Sequence, residues 1–157
     1  MNLPEEFEGA RFLFRKQPVA LPPDLRPIWR ISVLLLILHR CCRQKRASLN
    51  KLHVLSWAIR TSQSRQTFLD VFNGVAHPDK AVIRFDPAMN RALDLVRGEN
   101  LVQQIGGDHF QITAKGTALS GEIESDDDLM RVEKWFLGEL GSNATETRIK
   151  KLMRLVT

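Results

Sequence analysis

Cysteine is scarce in this chain, and the two that occur are neighbours, Cys41 and Cys42. Adjacent cysteines cannot cross-link distant segments, so no disulfide framework exists and a reducing, cytoplasmic setting is expected. Long apolar runs are missing as well. Val33 to Leu38 is the most apolar stretch, far short of the roughly 20 residues that a membrane-spanning helix requires. The opening MNLPEEFEGARF is acidic where a secretion signal is basic, and it lacks that signal's apolar centre. There is no glycine loop to cradle a phosphate, no H-E-x-x-H pair and no nucleophile elbow. His39, Cys41, Cys42 and His53 lack the second cysteine pair that a zinc site of usual spacing needs. Asp126, Asp127 and Asp128 are accounted for by a helix start, where negative charge is favoured. The expectation is a soluble protein that is not an enzyme and has no metal, cofactor or small-molecule substrate.

Acidic residues are absent from one long segment. Arg26 to Arg65 holds nine Lys/Arg and no Asp or Glu, whereas the 25 residues before it sum to −1 and the 92 after it to −3. Positive charge gathered in one block points to an anionic partner, either a nucleic-acid backbone or an acidic protein surface. The residues expected to meet nucleic acid are Arg40, Arg43, Lys45, Arg46, Lys51, Arg60 and Arg65. Any such binding should be salt-dependent and indifferent to sequence.

What is present is enough for a core: 43% of the 157 residues are hydrophobic. Residues 1–27 carry five of the seven prolines and are expected to form an extended arm, because proline lacks the N–H that a helix uses. Within the arm, Phe12 and Phe14 are candidate anchors. Pro27 suits a first helical position. The helix expected over 28–42 is apolar nearly all round, so it lies either at the centre of the core or between the core and a partner. Trp29 and Leu35 are its candidate partner contacts; the competing expectation is that the C-terminal helices fold back over it. Ser48 and Ser64 are expected to cap the next two helices, and Asn73-Gly74 to end the second. Ala81 to Phe85 alternates weakly, as a short strand does. Asp86-Pro87 starts a helix with Met89, Leu93 and Val96 inward and Gly98 as its stop. Two runs, 101–105 and 109–113, bracket Gly106-Gly107-Asp108 as a hairpin. Thr113 caps a helix whose Gly116 permits close approach to that hairpin. Ser125 with Asp128 is expected to start another helix, with Leu129, Val132, Phe136 and Leu140 inward. Asn143 with Glu146 is expected to start the last one, with Ile149, Leu152, Met153 and Val156 as its stripe.

FDPAMNRALDLVRGENLV followed by GGDHFQITAKGTALSGEI resembles the helix, first strand, glycine-rich wing tip and closing helix of a winged-helix domain. The resemblance spans about a quarter of the chain. The expected fold is mainly α with a small β-hairpin: an arm over 1–27, a winged-helix core over 28–124 and a helical extension over 125–157. The proline-rich arm, IRFDPAMNRAL and the added helices are similar to the small middle component of the ABC-three-component (Lamassu-type) anti-phage defence systems. That resemblance implies a non-enzymatic subunit bridging an SMC-like ATPase and an effector, with DNA contact as an additional role. In DNA-reading winged helices the helix before the wing enters the major groove. Here that helix mixes Arg91 and Arg97 with Asp94, and the tip carries Asp108 and no basic residue, which weighs against that docking. The alternative function is a homodimeric DNA-binding transcriptional regulator whose last helices pair. Trp29, Trp57 and Trp135 all lie in apolar helical patterns and are expected in the core or at an interface.

Overall fold

A computed structural model describes residues 26–156. The expected arm contacts Phe12 and Phe14 lie outside the described residues. The domain is mainly helical with one small antiparallel sheet. Its elements are α1 (Pro27–Arg40), β1 (Arg46–Ser48), α2 (Leu49–Ile59), α3 (Ser62–Phe72), α4 (Pro87–Gly98), β2 (Val102–Ile105), β3 (His109–Ile112), α5 (Ala114–Ser125), α6 (Arg131–Leu140) and α7 (Glu146–Val156). The sheet order is β1-β3-β2. A helix, a strand, further helices and then a hairpin follow in that order, and the hairpin's second strand, β3, pairs with β1. α3 packs against α2.

The apolar circumference of α1 decides where the helix lies. Trp29 and every residue from Val33 to Leu38 are buried. Six consecutive positions cover more than one full turn, so every face must meet protein. α2, α4, α5, α6 and β3 supply those faces. Leu35 is fully buried, and Trp29 is buried with its Nε1 donating to Glu133 Oε1 on α6 at 2.9 Å. Leu35 therefore has no exposed surface to offer a partner, whereas Trp29 lines a groove at the start of α1. The C-terminal helices do fold back: α6 covers α1, and α7 packs on α2. Phe136, Leu137, Leu140, Ile149 and Leu152 belong to the same hydrophobic core as α1.

Local signals position the remaining elements. Ser48 Oγ accepts from Lys51 N and caps α2, and Asp86 accepts from Ala88 N ahead of Pro87. For α3 the cap is Thr61, not Ser64. Ser64 sits three residues on and closes a capping box, its Oγ accepting from Thr61 N while its own N–H donates to Thr61 Oγ1. Gly74, at φ +76°, ends α3 with Val75 N donating to Asp70 O at 2.7 Å. The same 6→1 closure ends α4, but at Asn100. Asn100 takes φ +58° and Leu101 N donates to Val96 O at 2.8 Å, which leaves Gly98 as the last helical residue rather than the stop.

Three other expectations change. Residues 81–86 form no strand, because no neighbouring strand lies beside them to pair with; Ala81 is buried while Val82 and Phe85 are exposed. Ser125 is the last residue of α5 rather than a cap, its hydroxyl donating to Glu122 O. α6 begins only at Arg131, after Met130 at φ +53°, so Leu129 precedes the helix and Val132 turns outward. For α7, Thr145 accepts from Arg148 N, while Asn143 lies in the preceding 3-10 turn.

The hairpin matches its sequence signal. Val102 pairs with Ile112 and Ile105 with His109, around a loop at 106–108. Val102, Phe110 and Ile112 face the core, and Ile105 lies on the opposite face with Gln103. The tip does not project freely: Asp108 O accepts from Leu49 N at the start of α2. Gly116 of α5 lies directly over the residue that enters β2. A Cβ there would stand 2.1 Å from Leu101 O and 2.7 Å from Ile112 Cγ1.

Candidate functional site

The basic block is a sequence neighbourhood that the fold disperses. Arg40 forms a forked pair with Glu124 of α5 and donates to Lys134 O of α6 at 2.9 Å. Its role is to clamp α1 to α5 and α6. Lys51 is buried and donates from Nζ to Cys41 O at 2.7 Å. Arg65 donates to Ile59 O at 2.7 Å, tying α3 to the end of α2. Arg60 lies 4.0 Å from Asp86, beside the 2.7 Å pair of Arg30 with the same carboxylate. Only Arg43, Lys45 and Arg46 stay together at the surface, in the turn joining α1 to β1. Gln44 and Lys45 in that turn both take φ near +54° and +53°. Gln111 Nε2 braces the turn from β3 by donating to Gln44 O at 3.2 Å. Of the seven, Arg43, Lys45 and Arg46 lie side by side in one turn with Lys51 near by, while Arg40, Arg60 and Arg65 are held to partners elsewhere in the fold.

The clamp has a pH signature. Its forked hydrogen bond with Arg40 holds the Glu124 carboxyl below its usual range. A depressed folded pKa means stability that is fully present above the unfolded carboxylate value and lost as pH falls through the lower folded value. Glu124→Gln should cost about 1–2 kcal/mol at neutral pH, and the gap to the parent should close as pH drops below about 4. Urea unfolding across that range, parent against variant, measures it; a gap constant with pH rules the clamp out.

The helix before the wing keeps its mixed face. Arg91, Asp94, Leu95 and Arg97 are exposed, with Arg97 3.9 Å from Asp94. Charge on this face is partly cancelled, and the short hairpin is tied down at its tip by Leu49 N donating to Asp108 O.

Among the described residues no group of three or more His, Cys, Asp or Glu side chains is placed to hold a metal ion. Burial pushes the Cys41 thiol up to about 12 and Cys42 to about 11. Both donate to backbone carbonyls, Cys41 to Leu137 O and Cys42 to Ile37 O. These are structural thiols, protonated at neutral pH. No helix among the described residues is long and apolar enough to cross a membrane.

A surface that sequence reasoning did not single out lies along α6. Leu129 and Val132 are each 48% exposed, Trp135 is 56% exposed, and Ile28 at the start of α1 is 66% exposed. Val132 and Trp135, three residues apart on α6, share its outward face, and Leu129 lies in the turn before the helix. Beside it a groove of about 380 Å3 runs between α1, α5 and the turn before α6, lined by Ile28, Trp29, Ile31, Leu119, Ile123 and Leu129. The signal was present as apolar periodicity, but periodicity alone does not tell an inward stripe from an outward one. On α6 there are two, and Phe136, Leu137 and Leu140 form the inward one.

No protein-family model matches this chain, and no curated protein or solved structure matches it either.

Proposed function

We propose that this protein is a non-enzymatic winged-helix subunit that works by docking onto larger partners. The observation that carries the reading is the exposure of Leu129, Val132, Trp135 and Ile28 beside the adjoining groove. The domain completes its core without these side chains, and large apolar side chains left exposed beside an apolar groove are the usual mark of an interface. A large exposed tryptophan is the residue type that most often anchors one. The occupant is an amphipathic helix of a larger subunit carrying an acidic residue beside its apolar stripe, because the exposed Arg131 directly follows Met130, which lines the groove. The resemblance of the arm, of IRFDPAMNRAL and of the added helices to the middle component of ABC-three-component systems extends the reading. In that setting the partners are an SMC-like ATPase and an effector, and the basic turn at Arg43, Lys45 and Arg46 adds a sequence-indifferent contact with double-stranded DNA.

The test is co-expression with the products of the neighbouring genes, followed by light scattering. The parent chain should co-elute with an SMC-like subunit, and Trp135→Glu with Val132→Glu should abolish co-elution while leaving the melting temperature unchanged. A chain that remains monomeric beside those products, or a double variant that still co-elutes, overturns the reading. A dimer of this chain alone, broken by the same substitutions, favours the transcriptional regulator instead.

A further inference from the structure

Beneath the basic turn lies a recess of about 390 Å3 between the α1–β1 connection, the start of β3 and the start of α7. Its lining places Arg43, Arg46, Lys51 and His109 opposite Thr145 and Thr147. Lys51 is the unusual member. It is 3% exposed, and its Nζ donates to a neutral acceptor, the carbonyl of Cys41. An ammonium withdrawn from water is costly unless a negative group compensates it. No ion pair to Lys51, Arg43 or Arg46 forms among the described residues. Glu146 is the one carboxylate in the lining, and it is already engaged: its two oxygens accept from Ser48 N at 2.8 Å and Ser48 Oγ at 2.7 Å, where they hold α7 against α2. Asp108 sits just outside and is turned to His109, 3.0 Å from Nδ1. Three cationic residues therefore line a recess that holds one carboxylate, Glu146, whose oxygens are hydrogen-bonded to Ser48.

We propose that this recess binds a phosphate group. A tetrahedral dianion or diester fits the chemistry of the walls: Arg43 and Arg46 supply forked donors, Lys51 a buried point charge, and the hydroxyls of Ser142, Thr145 and Thr147 further donors. Four separate segments meet here, and only the folded chain brings them together. The site does not depend on the α6 docking surface, and it deepens the reading of the basic turn as a DNA contact, with which it shares Arg43 and Arg46. The same phosphate chemistry is offered by a small phosphorylated ligand such as a nucleotide and by the backbone of a nucleic acid.

The experiment is an amide chemical-shift titration of the full chain with inorganic phosphate, adenosine monophosphate and a short DNA duplex, each against sodium chloride at equal ionic strength. Phosphate should move the amides of Lys51, His109 and Thr147 beyond the chloride control. Arg43→Gln with Arg46→Gln, both at exposed positions, should weaken the affinity about tenfold or more. Lys51→Met should abolish saturable binding; should that buried substitution unfold the chain, the two arginine changes decide alone. Monophosphate binding that the duplex does not displace assigns the site to a small ligand, and displacement assigns it to a nucleic-acid backbone. If none of the three probes moves these amides beyond chloride, or if the arginine variant binds as the parent does, the proposal fails.

Discussion

Gly116→Ala should destabilise the domain by about 3 kcal/mol or more, although it adds a single methyl group. The new carbon would stand 2.1 Å from Leu101 O and 2.7 Å from Ile112 Cγ1. Ile112 is a side chain and can shift; Leu101 O cannot readily do so. It accepts from Thr113 N at 3.0 Å and from Thr113 Oγ1 at 3.1 Å, so retreat would break the junction between hairpin and α5. The methyl is therefore accommodated only by lifting α5 from α1, where Ser120 and Ile123 are buried. Gly121 on the same helix is the matched control. A Cβ there meets nothing within 4 Å, and Gly121→Ala should stabilise by about 0.5–1 kcal/mol through helix propensity alone. Urea denaturation of the two variants measures the contrast. Equal and small effects would show that α5 does not rest on the hairpin as described.

Phe136→Ala should cost about 3–5 kcal/mol. Its ring is fully buried and meets Phe68 of α3 edge-on, with centroids 6.1 Å apart. The effect tests more than one side chain. Phe136 lies in the segment expected from sequence to be an extension, yet it joins α6 to α3 across the core that contains α1. If α6 and α7 are integral, the variant should lower a single cooperative transition for the whole chain. An early, partial transition that leaves the remainder with parental stability would mean that the extension unfolds separately. Trp135→Ala, one residue away and exposed, should change stability by less than about 1 kcal/mol. The pair thus separates the inward face of α6 from the outward face assigned to a partner.

Much of the local architecture was legible in the residues themselves. Pro27, the Ser48 cap, Asp86-Pro87, Gly74, the Gly106-Gly107-Asp108 turn and Thr113 mark element ends by chemistry that acts within a few residues. Thr113 accepts from Gly116 N, and Ser48 from Lys51 N, with no help from the rest of the fold. Gly116 could be singled out because a glycine in a first helical turn costs free energy unless a close approach requires it. The errors have a common cause. Ser64, Gly98 and Ser125 are each good capping residues, but Thr61 and Asn100 took the role of the first two, and α6 starts without a side-chain cap after Met130. Choosing between adjacent candidates depends on where the helix must stop to meet its packing partners, which is a tertiary constraint.

The candidate sites divide in the same way. Composition alone determined that the positive charge is concentrated between Arg26 and Arg65. Only the fold decided what each cation does, because a side chain's partners are set by elements far away in sequence. Arg40 is spent on Glu124, 84 residues on, and Glu146 reaches back 98 residues to Ser48. Apolar periodicity determined that α1 and α6 each need burial. It could not say that α1 is enclosed on every side while α6 turns Val132 and Trp135 outward, because that depends on how many neighbours the packing supplies. Short-range capping and turn chemistry belong to the sequence; burial, charge pairing and exposed surface belong to the three-dimensional arrangement that gathers distant residues around one core.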